Sequence, residues 1–313
     1  MEDGHPWKIP TFFIVGAAKS GTTALADYLG QHPDVFMPDN KDLHFFGSDL
    51  SFNPVFSRTA GWFPSNLEKY LSLFSDAPGE KLLGDASGWY LYSKKAARDI
   101  KAVNPASKII ITLRNPVDMI YSLHNHWLWN LNEDIEDFEE ALAAEPDRAK
   151  GLRIPPNAFF PEGLCYRQIP LYCEQVQRYF DAFGRKNVLV IIFDEIKKDV
   201  AAVYRQVLEF LEIDLHFQPQ FDIVNPSMRF RSRRLQQLLT NPPRLVRVLA
   251  EPLLKSWWLR QRILELVYLI NRKKAPRAPL SAEVRKALQA NFAPEVEALS
   301  DLIGRDLTYW SKG

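Results

Sequence analysis

The chain has 313 residues, with 39 lysines and arginines against 38 aspartates and glutamates, a formal net charge of +1; 46% of residues are hydrophobic, 25% charged and 12% aromatic. That composition excludes the disordered, collagenous and membrane-spanning classes, and a chain this long buries about three-quarters of its unfolded surface without covalent staples. The near-neutral total argues at first sight against a polyanion partner, but a total hides how charge is distributed.

The first element is an apolar run of strand formers, Thr11-Phe12-Phe13-Ile14-Val15, ending at Gly16. The polar turn Ala17-Ala18-Lys19-Ser20-Gly21-Thr22-Thr23 follows, then a helical pattern carrying Leu25, Tyr28 and Leu29, closed by Gly30 and Pro33. Residues 82–86 and 108–113 read as two more buried strands, with a helix over about 93–103 between them. The stretch 131–160 is acidic, then proline-containing, and reads as a surface insertion. A helix over about 165–182 precedes a fourth strand at 187–193, and a helix over about 196–212 follows it. Apolar strands alternating with helices imply an α/β fold with a parallel sheet covered on both faces, in one domain spanning 1–313. From Arg229 the pattern is helical and ends, after the 281–303 helix, at Asp306-Leu307-Thr308-Tyr309-Trp310, a C-terminal helical appendage.

Cys165 and Cys173 match neither a disulfide framework nor a metal pattern and are expected as small buried hydrophobes. There is no basic, then apolar, leader at the start and no apolar run of about 18 residues, so the expected location is cytoplasmic.

Strand, glycine-containing turn and helix is the layout of a phosphate-binding loop. The loop of nucleotide triphosphatases reads G-x-x-x-x-G-K-[ST]. Here Gly16 and Gly21 have that spacing, but Thr22 occupies the lysine position and the lysine comes earlier, at Lys19. Backbone N–H groups at a helix start still form an anion nest, with hydroxyls from Ser20, Thr22 and Thr23. An ammonium on the loop suits a shorter phosphate chain than a triphosphate.

Phe13 to Thr23 resembles the 5′-phosphosulfate loop of sulfotransferases that use 3′-phosphoadenosine-5′-phosphosulfate (PAPS). The second signature of that family is a strand ending in Arg, then Asn/Asp-Pro, then a Ser eight positions after the Arg; it is matched by Arg114-Asn115-Pro116 and Ser122. The resemblance implies a P-loop-like sheet. It also implies PAPS as sulfuryl donor, held by Lys19, Ser20, Gly21, Thr22, Thr23, Arg114 and Ser122, with no metal. Between the signatures, Lys41-Asp42-Leu43-His44-Phe45-Phe46 is similar to the Lys-Glu-x-His-Phe-Phe element of heparan-type and bacterial members. It implies Asp42 and His44 as a joint acid/base unit, with Lys19 catalytic through the leaving phosphate. Asp42 replaces the usual Glu and reaches roughly 1.5 Å less far, one C–C bond, which leaves open which of the two is the main base.

Gly84-Asp85-Ala86-Ser87-Gly88-Trp89-Tyr90 stands where some glycosaminoglycan enzymes have Gly-Glu-Lys-Ser/Thr-Pro-x-Tyr; Ala86 in place of the lysine argues against a polyanionic acceptor. Gly163-x-x-Tyr166 and the Asp-Leu-Thr-Tyr-Trp ending also match, so the resemblance covers roughly 10–215 and the last thirty residues. The implied acceptor is a hydroxyl or amine of a small molecule, carbohydrate or lipid, and the preferred source is bacterial.

From Arg229 to Arg277 thirteen basic residues face only Glu251 and Glu265, a net +11 that leaves the rest of the chain at −10. Interleaved Trp257, Trp258 and leucines give three readings: a helical cover with a solvated basic face, a lid over the acceptor cleft, or a peripheral contact of 244–277 with anionic lipid. Arg229 and Arg231 are candidates for the donor's 3′-phosphate. No nucleic-acid module accompanies the charge. Two rival functions remain open: a P-loop kinase or NTPase, which Thr22 contradicts, and a catalytically silent nucleotide-binding module.

Overall fold

The computed structural model describes residues 7–53, 63–77, 79, 82–222, 228–230, 272–274 and 279–312. β1 (Phe12–Gly16) leads into α1 (Thr22–Gly30), β2 (Val35–Phe36) and α2 (Leu67–Ser72). β3 (Leu82–Ala86), α3 (Ala96–Val103), β4 (Lys108–Leu113) and α4 (Pro116–Trp129) follow. α5 (Phe138–Ala143), α6 (Glu145–Arg148) and α7 (Tyr172–Phe183) lead to β5 (Val188–Ile192), then α8 (Phe193–Lys198) and α9 (Val200–Leu211). The chain closes with β6 (Met228–Phe230), β7 (Arg272–Lys274) and α10 (Ala282–Ile303).

Strands β1 to β5 form one parallel sheet in the order β2-β3-β1-β4-β5. This is the fold expected from the alternation of strands and helices. The period-2 pleat sends Phe13 and Val15 of β1 into one core and Phe12 and Ile14 into the other. Helices α1 and α9 cover the second core; α3, α4, α7 and α10 cover the first. Both faces of β1 and β4 are therefore dry, which is why these strands read as continuous apolar runs.

Several boundaries differ from expectation. Short 3₁₀ turns occupy Pro161–Leu164 and Tyr166–Gln168, so α7 starts only at Tyr172. The expected 196–212 helix is two, broken at Asp199, whose carboxylate caps α9 by accepting from Ala202 N–H. Cys165 and Cys173 are half-buried free thiols rather than core residues. The stretch 131–160, expected at the surface, sends Phe138, Ala141, Leu142 and Phe160 into the main core. Within it, fully buried Glu133 and Arg148 pair through two 2.7 Å hydrogen bonds, and Tyr166 Oη donates to the same carboxylate.

In the basic segment expected to be helical, the described pieces are strands: β6 and β7 pair antiparallel, Arg229 opposite Lys273. Arg231 and nearly all of 244–277 lie outside the described residues. No described helix is long and apolar enough to cross a membrane.

Candidate active site

Because the sheet is parallel, the segments that follow β1, β2, β3 and β4 all leave from one edge. Chain direction across the sheet reverses between β1 and β4, and that crevice is where open α/β sheets place ligands. The loop after β1 is pinned to β4, with Ala17 N–H donating to Thr112 O at 2.6 Å and Thr112 Oγ1 to Gly16 O at 3.1 Å. Gly16 has φ 140°, and a Cβ there would lie 2.7 Å from Gly88 O. Gly21, with φ 91°, is the N-cap of α1 and brings no side chain to it, so the helix start faces the loop with backbone amides.

Arg114 follows β4 and reaches across the crevice, Nη1 donating to the Lys19 carbonyl at 3.0 Å. Its guanidinium stacks 4.8 Å above the Phe193 ring, and its buried Nε has no hydrogen-bond partner among the described residues. Burial holds its pKa below the ordinary arginine value, against the pull of Asp118, Tyr172 and Asp194. Asn115 then caps α4, accepting from Val117 N–H, with Pro116 at the first helical position. Asn115 Nδ2 also donates to Trp310 O at 3.2 Å, and the Trp310 indole donates to Asp194 Oδ2 at 3.2 Å. Ser122 lies two turns into α4, half-buried. Ser20 and Thr22 are buried; Lys19 and Thr23 are half-buried.

The segment after β2 carries Asp42 and His44 to the same edge. Gly88 N–H donates to Asp42 Oδ1 at 3.0 Å, and a Cβ on Gly88 would sit 3.8 Å from both Ala18 Cα and Thr22 Oγ1. Phosphate-type loop and carboxylate therefore flank one glycine. The segment is held from β3 outward: Asp42 N–H donates to Ala86 O at 2.8 Å and His44 N–H to Ser87 Oγ at 3.2 Å. Ser87 in turn donates to Asp85, which also accepts from Tyr70 and Tyr90 hydroxyls at 2.8 and 2.9 Å. Burial lifts the Asp85 carboxyl to about 6, those three hydroxyls opposing it.

Lys19, Asp42 and His44 all have left-handed backbones, with φ of 60°, 59° and 50°. Such strain clusters at functional sites. Burial works to raise Asp42, but Lys41, His44 and the Gly88 amide outweigh it and hold its carboxyl below the usual range. Burial drives His44 down to about 4, with Lys41 reinforcing and Asp42 opposing. Its ring packs against Phe52 at 4.8 Å, Phe63 at 5.5 Å and Phe159 at 6.4 Å, and Nδ1 has no partner among the described residues.

One further group belongs to this cluster. His126 lies one helical turn beyond Ser122, and burial lowers it to about 3, with the charges of Lys19 and Lys41 pushing the same way and Asp42 opposing. Sequence reasoning missed it; the only available signal was its spacing of four from Ser122 on one helix face.

A profile of the family described as the sulfotransferase domain matches residues 10–241. The chain belongs to the sulfotransferase domain family. The fold of a sulfotransferase from Alicyclobacillus acidocaldarius superposes with a TM-score of 0.73 at 29% identity, covering 97% of this chain and all of that one. A mouse protein named bifunctional heparan sulfate N-deacetylase/N-sulfotransferase 1 is 28% identical over 230 residues, 69% of this chain and 24% of that protein. A membrane-associated sulfotransferase of Dictyostelium discoideum is 29% identical over 144 residues, 44% of this chain and 28% of its own length. This sulfotransferase-family chain thus spans about a quarter of the length of the curated relatives it matches.

Proposed function

We propose that the chain transfers the sulfuryl group of PAPS in line to a hydroxyl or amine of a small-molecule, carbohydrate or lipid acceptor. The observation that carries this reading is the meeting of three sequence-distant segments at one sheet edge: Arg114 against the Lys19 carbonyl, and Asp42 against the Gly88 amide beside Thr22. The residues present fit the donor. Gly16 and Gly21 let the loop pack directly against Gly88, Leu91 and Phe193, the start of α1 offers amides, and the buried Arg114 Nε, without a partner among the described residues, is a donor suited to an anionic oxygen.

In this reading, PAPS brings an activated sulfuryl group whose departure leaves charge on a phosphate oxygen. Lys19 and the amides and hydroxyls of Ser20, Gly21, Thr22 and Thr23 meet that charge, a preorganised electrostatic role. Arg114 and Ser122 hold the 3′-phosphate, with Arg229 and Arg231 as further candidates. Asp42, a carboxylate at neutral pH whose neighbours hold it below the usual range despite burial, takes the acceptor's proton. His44, kept neutral by burial and with an Nδ1 that has no partner among the described residues, is the second acceptor of that proton. The proposed location is cytoplasmic, with the basic segment as a candidate contact to a membrane surface.

The deciding experiment is transfer of radiolabelled sulfate from PAPS into a cell extract, resolved into lipid, carbohydrate and small-molecule fractions. Lys19→Ala and Asp42→Asn are expected to keep the fold and each lose about 100- to 10,000-fold in transfer. Label transfer by either variant at the wild-type rate would overturn the assignment. Nucleotide binding with no transfer to any fraction would favour a silent binding module.

A further inference from the structure

Lys41 has no part in the scheme above, yet its ammonium stands between the two halves of the site. Nζ donates to Thr23 Oγ1 at 2.7 Å and lies 2.8 Å from Asp42 Oδ2. Thr23 is the second residue of α1, directly after the loop; Asp42 belongs to the segment after β2. We infer that Lys41 is a positioning residue that joins donor site to base, turning the Thr23 hydroxyl toward the donor's 5′-phosphate while holding Asp42 ionised and in place. The inference rests on the sulfuryl-transfer reading.

The chemistry of the two contacts is asymmetric. An ammonium only donates, whereas a threonine hydroxyl has one proton and two lone pairs. With a lone pair taken by Lys41, the Thr23 proton points away from the cation, free for an anion at the start of α1. The cation also polarises the hydroxyl and makes it a better donor. On the other side, Lys41 is the leading influence that counters burial at Asp42. The other groups bearing on that carboxylate are the Gly88 amide, His44 on its own segment, Asp85 in β3, which repels it, and His126 in α4. Without Lys41, the balance at Asp42 moves toward the protonated acid. The competing view is an ordinary partly exposed ion pair, which contributes almost nothing.

Binding of 3′-phosphoadenosine-5′-phosphate by calorimetry, and the pH profile of labelled-sulfate transfer into the extract, separate these views. Lys41→Met and Thr23→Val are each expected to weaken nucleotide binding about tenfold, the value of a charge-assisted hydrogen bond. The double variant should bind no more weakly than either single one. Only Lys41→Met should move the acid limb of transfer to higher pH, and Lys41→Arg should restore most of both losses. Wild-type affinity with an unmoved acid limb in Lys41→Met, or additive losses in the double variant, would overturn the inference. A wild-type chain that neither binds the nucleotide nor transfers sulfate would overturn the functional reading first and this inference with it.

Discussion

Replacing His44 with phenylalanine should stabilise the protein, and more so in acid. His44 is 8% exposed, lies among Phe52, Phe63, Tyr90 and Phe159, and carries a buried Nδ1 with no partner among the described residues. An unpaired buried polar group costs about 1–3 kcal/mol. The left-handed backbone at φ 50° suits histidine better than phenylalanine and gives back up to about 1 kcal/mol. The net gain at pH 7 is about 1 kcal/mol. His44 has its pKa depressed from 6.5 to about 4 in the folded state, so its neutral form stabilises fully above 6.5 and that contribution is lost as pH falls toward 4. At pH 5 the wild type has forfeited about 2 kcal/mol, at 1.36 kcal/mol per unit, and the variant has not. Unfolding entropy near 2.1 cal/mol/K per residue gives about 0.7 kcal/mol/K for this chain. His44→Phe should therefore melt about 2 °C above wild type at pH 7 and about 5 °C above it at pH 5, by calorimetry or circular dichroism, while sulfate transfer falls. A variant that melts below wild type at both pH values, or by the same margin at both, would refute the argument.

Gly16→Ala should cost more than 2 kcal/mol and abolish binding of 3′-phosphoadenosine-5′-phosphate, because its Cβ would meet Gly88 O at 2.7 Å and Leu91 Cβ at 2.9 Å on a backbone that disfavours side chains. Denaturant titration and calorimetry check the two halves. Arg148→Met removes the bidentate cation from the buried Glu133 carboxylate while leaving its hydroxyl and amide donors, and should cost about 3–5 kcal/mol in chemical denaturation. The double replacement Glu133→Gln/Arg148→Met should recover part of that loss.

Strands were legible wherever two-sided burial forced continuous apolar runs: β3 and β4 stand where expected and β1 and β5 differ at their ends by a residue or so. Val35–Phe36 escaped because two residues carry no alternation. The loop was legible as a glycine-spaced turn between strand and helix, and Arg114 and Ser122 were singled out through the family resemblance; the structure sets Arg114 against the Lys19 carbonyl and Ser122 two turns into α4. His126 was not, since a single histidine on a mixed helix face is indistinguishable from packing until the fold brings Lys19 and Asp42 near it. The hydroxyl clasp on Asp85 was equally hidden: Tyr70 comes from a short helix that periodicity does not reveal, and its contact with Asp85 is purely tertiary. The basic segment's charge was legible as composition, and its described ends pair as strands rather than helix.

The hydrogen bond from Asn115 to the Trp310 carbonyl spans 195 positions of sequence. Its consequence is one of timing. Asn115 caps the helix that starts beside Arg114, so this one tie on the far wall of the crevice forms only once residue 310 has been made. At about 5–20 residues per second, synthesis of the intervening chain takes roughly 10–40 s. For that interval the far wall rests on its other contacts, the Asn115 cap on α4 and the Arg114 hydrogen bond to Lys19, and the tie from residue 310 is added after them.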